Sequence, residues 1–291
     1  MDITKEIGSW QEARDRLRKW RDENERKSED VVDLFISYIG SNLSKLGDEK
    51  WVVMEQVAIA SMDMHNLPIA EDLIMELKER FPKSERVRLL QIQRLNLLGR
   101  HEDAMKGLDA MIDRDPTNSV PYKRKIAILK SLGRTTEAIK ELSEYLNRFM
   151  SDQEAWSELC DLYLSEGEYN RAVFCAEELV LHTPHNFFVH QRLGDIRYTM
   201  GGIENLKLAL SYYSQALKLN ASSMRSIFGL FLSASSLSTN PRVPPADKKE
   251  YTRVVTWAVD QITKRYSGTN VLEDGKAEML AGVFGALQIQ G

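Results

Sequence analysis

Cysteine is nearly absent from this 291-residue chain: Cys160 and Cys175 are its only two. A single pair of thiols cannot staple a secreted scaffold of this size, which points to a reducing compartment. Proline and glycine are scarce as well, at 8 and 16 residues, about 8% together against a typical ~12%. Sandwiches, barrels and other turn-rich β folds need more of both, so the chain reads as helical. Long apolar runs are lacking too. The opening MDITKEIGSW contains no apolar core of the kind a secretory leader needs. The longest stretch free of charge, Ser226 to Pro241, is broken by serines, a threonine and an asparagine, short of the ~20 apolar residues that span a bilayer. Any membrane attachment would therefore run through partners. Positive charge is not in excess: 39 Lys and Arg stand against 43 Asp and Glu, a net −4. That removes the simplest electrostatic basis for generic nucleic-acid binding. Finally, G-x-S-x-G, P-loop, G-x-G-x-x-G and H-E-x-x-H motifs are all missing, so no enzyme, cofactor or metal is expected.

What is present is a period of 34. Glycines recur at Gly99, Gly133, Gly167 and Gly201, and alanines at Ala70, Ala104, Ala138 and Ala172. Pro82, Pro116 and Pro184 keep the same register, as do Tyr122, Trp156 and His190. The pattern predicts a repeated helix hairpin. Glycine ends the first helix, where φ is positive. Alanine lets the second helix approach the first, and proline follows the second helix, which it cannot continue. The clearest copy, 153–186, carries Trp156, Leu159, Cys160, Tyr163, Gly167, Ala172 and Pro184, and this order resembles the tetratricopeptide (TPR) repeat. Ser151 and Glu154 read as its capping box.

The fold class is thus all-α, a solenoid of TPR hairpins capped by helices at both ends. Residues 1–50 form N-terminal capping helices, about 9–26 and 29–46, the first opened by a Ser9–Glu12 capping box. Five repeats occupy 51–84, 85–118, 119–152, 153–186 and 187–223. The fifth is three residues longer, which predicts an insertion in the turn around Gly202, Ile203 and Glu204. Residues 224–291 hold a degenerate sixth hairpin, with a surface loop at 238–247, and a final capping helix near 271–289. The whole is expected to be one continuous solenoid.

Five histidines are present, and His182, His185 and His190 form H-x2-H-x4-H downstream of Cys175. Pro184 interrupts this cluster and no second cysteine or carboxylate pair completes a familiar ligand set, so these read as loop and helix-end histidines. The two cysteines read as small packers within one hairpin. Charge is more informative. Residues 119–140 carry six basic side chains against Glu137, a local +5, and 151–178 carry eight acidic ones against Arg171, a local −7. First helices of TPR hairpins line a concave groove. There they place Lys123 and Lys130, with Arg124 beside them, near Glu154 and Asp161; Leu89, Phe188 and Tyr198 are candidate apolar anchors. A partner segment of mixed charge would suit such a groove; the alternative is inter-repeat ion pairing worth ~0–1 kcal/mol per pair. The Lys and Asn pattern that clamps chaperone C-termini is missing at groove positions Glu55, Leu89, Lys123, Ser157 and Gln191.

Beyond the repeat, RKWRDEN (18–24), DPTN (115–118), KRKIAI (123–128), EAIKELSEYL (137–146), DQEAW (152–156), PHN (184–186), GGIENL (201–206) and QALKLN (215–220) occur in order. Together, over roughly 10–266, they resemble the subunit 2 family of the endoplasmic reticulum membrane protein complex. The resemblance implies a non-catalytic scaffold on the cytoplasmic face of that membrane, supporting insertion of tail-anchored and multipass proteins. It implies contacts with cytosolic parts of subunits 3 and 5 and with soluble subunit 8 or 9. A free-standing adaptor for client or chaperone peptides is the alternative.

Overall fold

A computed structural model describes residues 8–267 and Gly282. All regular structure among them is helical, in fourteen α-helices. Two compact units divide the chain, one ending at Ala138 and the other beginning at Ile139. The final capping helix expected near 271–289 lies outside the described residues.

The first unit opens with α1 (Trp10–Asp22) and α2 (Ser28–Leu34). Ser9 caps α1 by accepting from the Glu12 N–H at 3.3 Å, while Glu12 returns a bond to the Gly8 N–H at 2.9 Å. The second helix was expected to run unbroken over 29–46. Instead, regular α-helix stops at Leu34, widens into a π-turn at Phe35–Ile39 and tightens into a 3-10 segment at Gly40–Leu46. Gly40 makes the wide turn possible: its N–H donates to the Phe35 carbonyl, and a Cβ there would sit 3.1 Å from that oxygen.

Two hairpins follow in register, α3 (Glu49–Asp63) with α4 (Leu67–Arg80) and α5 (Glu85–Leu97) with α6 (His101–Arg114), and then α7 (Ser119–Ser131), while α8 (Thr135–Arg148) runs across the division at Ala138. The glycine positions behave as the period requires. Gly99 and Gly133 have φ of 75° and 69°. Next to each, Arg100 and Arg134 donate to the carbonyls of Leu95 and Leu129, both at 3.0 Å, closing the helix end. One period earlier the same place is held by His65, whose φ is 56°, with Asn66 donating to Ser61 at 2.8 Å. A left-handed conformation costs a non-glycine residue roughly 1–2 kcal/mol. His65→Gly should therefore raise stability by about 0.5–1 kcal/mol, after the extra freedom of glycine in the unfolded chain is subtracted. An unchanged or lower urea midpoint would contradict this. The core of the unit runs from Ala13, Leu17 and Trp20 through Val57 and Ala70 to Leu90.

The second unit contains α9 (Gln153–Ser165) with α10 (Tyr169–His182), α11 (Phe187–Met200) with α12 (Ile203–Leu219), and α13 (Met224–Thr239) with α14 (Pro245–Ser267). The cap of α9 is Asp152, not Ser151: its carboxylate accepts from the Ala155 N–H at 3.1 Å. Asp152 is the 34-residue equivalent of Asn118 and Asn186, which accept from the N–H groups of Val120 at 3.1 Å and Phe188 at 3.0 Å. Ser223 caps α13 in the same way, accepting from Ser226 at 3.3 Å.

The extra residues of the fifth repeat do not enlarge its turn. Only Gly201 and Gly202 separate the two helices, and α12 has 17 residues where α10 has 14. The additional helical turn buries Leu206 with Leu237 and Val243, and Ile203 packs against this cluster. Apolar burial thus draws the IENL part of GGIENL, residues 203–206, into helix. It also explains why the loop before α14 shortens to 240–244 and is not wholly on the surface, since Val243 is buried. Ala70, Ala104, Ala138 and Ala172 are all fully buried, and so is Ala209, the equivalent in the fifth repeat.

Candidate functional site

Three side chains spaced by 34 make one kind of bond. The hydroxyl of Tyr122 donates to the carbonyl of Pro116 at 3.4 Å, the indole of Trp156 to Met150 at 2.8 Å, and Nε2 of His190 to Pro184 at 2.8 Å. Each reaches six residues back and anchors the loop that leads into its own helix. Because a carbonyl only accepts, Nε2 of His190 carries the proton and is committed to that loop. The buried thiol of Cys160 donates to the Ala172 carbonyl at 3.4 Å. Burial pushes both cysteines upward, Cys175 to about 12, which keeps them protonated and unreactive at neutral pH. Among the described residues, no group of His, Cys, Asp and Glu could hold a metal ion.

In each unit the first helices of successive hairpins share a face. In the first unit α1, α3, α5 and α7 border a cavity of about 440 Å³ that includes Trp20, Glu55, Arg86, Gln93 and Arg124. In the second unit α9, α11 and α13 border one of about 470 Å³ that includes Asp161, Phe188, Arg192, Asp195 and Arg225. Both faces carry ion pairs between neighbouring first helices. Arg86 grips Glu55 with two bonds of 3.0 and 2.7 Å, Arg192 pairs with Asp161, and Arg225 reaches Asp195 at 2.9 Å. Partner positions lie 31 residues apart in the first two cases, a period less one helical turn.

The expected groove residues fall into distinct settings. Asp161 and Phe188 line the same cavity, with Phe188 55% exposed and Asp161 held by Arg192. Leu89 and Arg124 are also brought together, around a smaller cavity of about 150 Å³ with Ile92, Gln93, Ala127 and Ile128. Lys123, Lys130 and Glu154 are exposed on α7 and α9. Tyr198 is half-buried and packs against the core of its own unit, near Leu206 and Leu237.

A second kind of surface was not expected from the groove frame. Met150, Trp156, Tyr163 and Phe174 line a cleft of about 760 Å³, with Leu146 and Leu159 at its floor. Met150 is 67% exposed and Phe174 56%, and the Trp156 and Phe174 rings meet edge to face at 6.0 Å. Phe174 and Leu181, seven residues apart on α10, were the available signal: two large apolar residues on a helix face otherwise polar.

A profile of the EMC2 TPR-like repeat domain matches residues 69–218. The ER membrane protein complex subunit 2-B of Xenopus laevis is 46% identical over 258 residues, 89% of this chain and 87% of that protein. This chain belongs to the subunit 2 family of the ER membrane protein complex. Subunit 2 of Dictyostelium discoideum is 30% identical over 279 residues, covering 90% and 85%. The TPR repeat protein oca3 of Schizosaccharomyces pombe is 34% identical over 209 residues, covering 71% and 74%. Among solved structures, the C-terminal part of a TPR repeat-containing protein from Cytophaga hutchinsonii superposes with a TM-score of 0.59. It covers 94% of this chain and 99% of that one at 14% identity, a likeness of fold. As a family member the chain is a TPR protein, and no helix among its described residues is long and apolar enough to cross a membrane.

Proposed function

We propose that this chain is a non-catalytic scaffold on the cytoplasmic face of the endoplasmic reticulum membrane. In that role it holds cytosolic parts of membrane subunits 3 and 5 together with soluble subunit 8 or 9, and so supports insertion of tail-anchored and multipass proteins. The same proposal takes the five repeats over 51–223 and the caps at 1–50 and 224–291 as one continuous solenoid. Leu89, Lys123, Arg124, Lys130, Glu154, Asp161, Phe188 and Tyr198 are its groove residues.

The observation that carries this reading is identity of 46% sustained over 89% of the chain and 87% of a named subunit 2. Relatedness of that extent covers surfaces as well as core, since a likeness limited to the repeat would stop at its packing positions. Chemistry within the chain is in accord. Its buried thiols are protonated and His190 is tied to a loop carbonyl. Attachment to a membrane would run through protein partners. Mass spectrometry of the tagged protein from digitonin-solubilised membranes tests this directly. Co-isolation of the membrane subunits in near-stoichiometric amounts is expected, and recovery of none would overturn the scaffold role.

A further inference from the structure

The arginines that bridge neighbouring first helices in the first unit are nearly all answered by a carboxylate. Arg18 holds Glu49 with bonds of 3.0 and 2.7 Å, and Arg86 holds Glu55 in the same bidentate way. Arg26, at the rim, holds Asp63. Arg124 sits at the same 31-residue offset from its neighbour, yet the residue it meets is neutral: its Nη1 donates to the amide oxygen of Gln93 at 3.4 Å. Among the described residues it makes no ion pair. The side chain is exposed, so a full positive charge with four further N–H donors faces the groove.

Arg124 also stands at a boundary. On one side lies the cavity of about 440 Å³ whose other arginines are already neutralised, and on the other the pocket of about 150 Å³ formed with Leu89, Ile92, Ala127 and Ile128. The smaller pocket is of a size for an aliphatic side chain. An anion entering this face therefore finds one guanidinium without an ion pair, beside a mainly apolar recess whose wall also includes Gln93, Asn96 and Ser131. A planar fork of N–H groups prefers a carboxylate, which accepts two of them at once.

We propose that Arg124 and the Leu89 pocket form a docking site for an acidic segment of a protein partner, in which a Glu or Asp pairs with Arg124 and an adjacent aliphatic side chain enters the pocket. The inference rests on the scaffold reading only in requiring a protein occupant.

Fluorescence anisotropy on the full-length protein tests it, with a fluorescein-labelled ten-residue peptide in which Glu alternates with Leu and Ser, and its counterpart with Gln for Glu. The acidic peptide should bind at least about tenfold more tightly than the neutral one, a preference that weakens as salt is raised. Arg124→Gln should remove the preference. Gln93→Glu, which supplies the missing carboxylate, should weaken acidic-peptide binding about tenfold without lowering the melting temperature. Leu89→Ser should weaken both peptides severalfold. Equal binding of the two peptides by the natural protein, or unchanged binding by Arg124→Gln or Gln93→Glu, would overturn the site. So would Arg124-dependent binding to phosphatidylserine vesicles without any peptide preference. Failure to recover membrane subunits with the natural protein would overturn the scaffold role alone, and the peptide preference would still decide the site.

Discussion

Gly229→Val should cost the second unit about 4 kcal/mol and lower its urea midpoint accordingly. The reason is the ring of Tyr213, which lies between two glycines. A Cβ on Gly229 would fall 2.3 Å from that ring and one on Gly194 2.9 Å from it, both closer than real contacts allow. The ring is 2% exposed, and its hydroxyl donates to Asp195 at 2.7 Å, so it has neither room to move nor freedom to turn. Overpacking a tight core costs ~1–3 kcal/mol. Expelling the ring also breaks a half-buried hydrogen bond to a charged group, worth ~1.5–3 kcal/mol. The smaller change Gly229→Ala should cost roughly half as much. Combining it with Tyr213→Leu should recover part of that loss, because the added methyl then meets a shorter side chain. A Gly229→Val protein with an unchanged midpoint would show that the ring does not occupy this slot.

Trp20→Ala should have a comparable effect in the first unit, about 3–5 kcal/mol. Trp20 is 2% exposed and closes the N-terminal side of the core formed with Leu17, Val57 and Ala58. Lys27 and Arg16 stand over its ring with charge-to-centroid distances of 5.4 and 5.9 Å. Terminal elements of a repeat stack shield an apolar face that water would otherwise meet. Loss of this side chain should therefore be read first in α3. Amides around Val53 to Val57 should lose protection from hydrogen exchange by a hundredfold or more, as the local opening energy falls by these few kcal/mol. Retained protection there would assign the shielding to other residues.

The repeat was legible in the sequence because it rests on one-residue requirements. A positive φ selects glycine, a close helix contact selects alanine, and a helix end selects proline nearby. Each leaves a mark at a fixed spacing that needs no knowledge of neighbours. The hydrogen-bonding trio of Tyr122, Trp156 and His190 showed its register but not its role, since three chemically unlike side chains donate to the same relative carbonyl. Where the chain departed from expectation, the cause lay in packing between segments. GGIENL looks like a turn, but the burial of Leu206 against Leu237 and Val243 extends the helix instead. The π-turn at Phe35 depends on a close backbone contact at Gly40. The groove charges were visible as composition, while their pairing was not. Arg192 and Asp161 meet across a 31-residue offset set by how adjacent helices cross, which the 34-residue frame does not display. That same offset is why Gln93, unremarkable in the sequence, becomes the residue that leaves Arg124 unanswered.

The helices of each unit pack chiefly on the next one or two in the chain, α9 on α10, α11 on α12 and α13, α3 on α4 and α5. Even the bridging pairs between hairpins, such as Arg86 with Glu55, join residues only 31 positions apart. In kinetic terms the described contacts within each unit are of low contact order, so their closing loops are short and the search for them is correspondingly fast. During synthesis, a hairpin such as α3–α4 has its complete set of packing partners within about 35 residues of leaving the ribosome. No distant strand has to be awaited. The first unit can thus begin to fold while the second is still being translated.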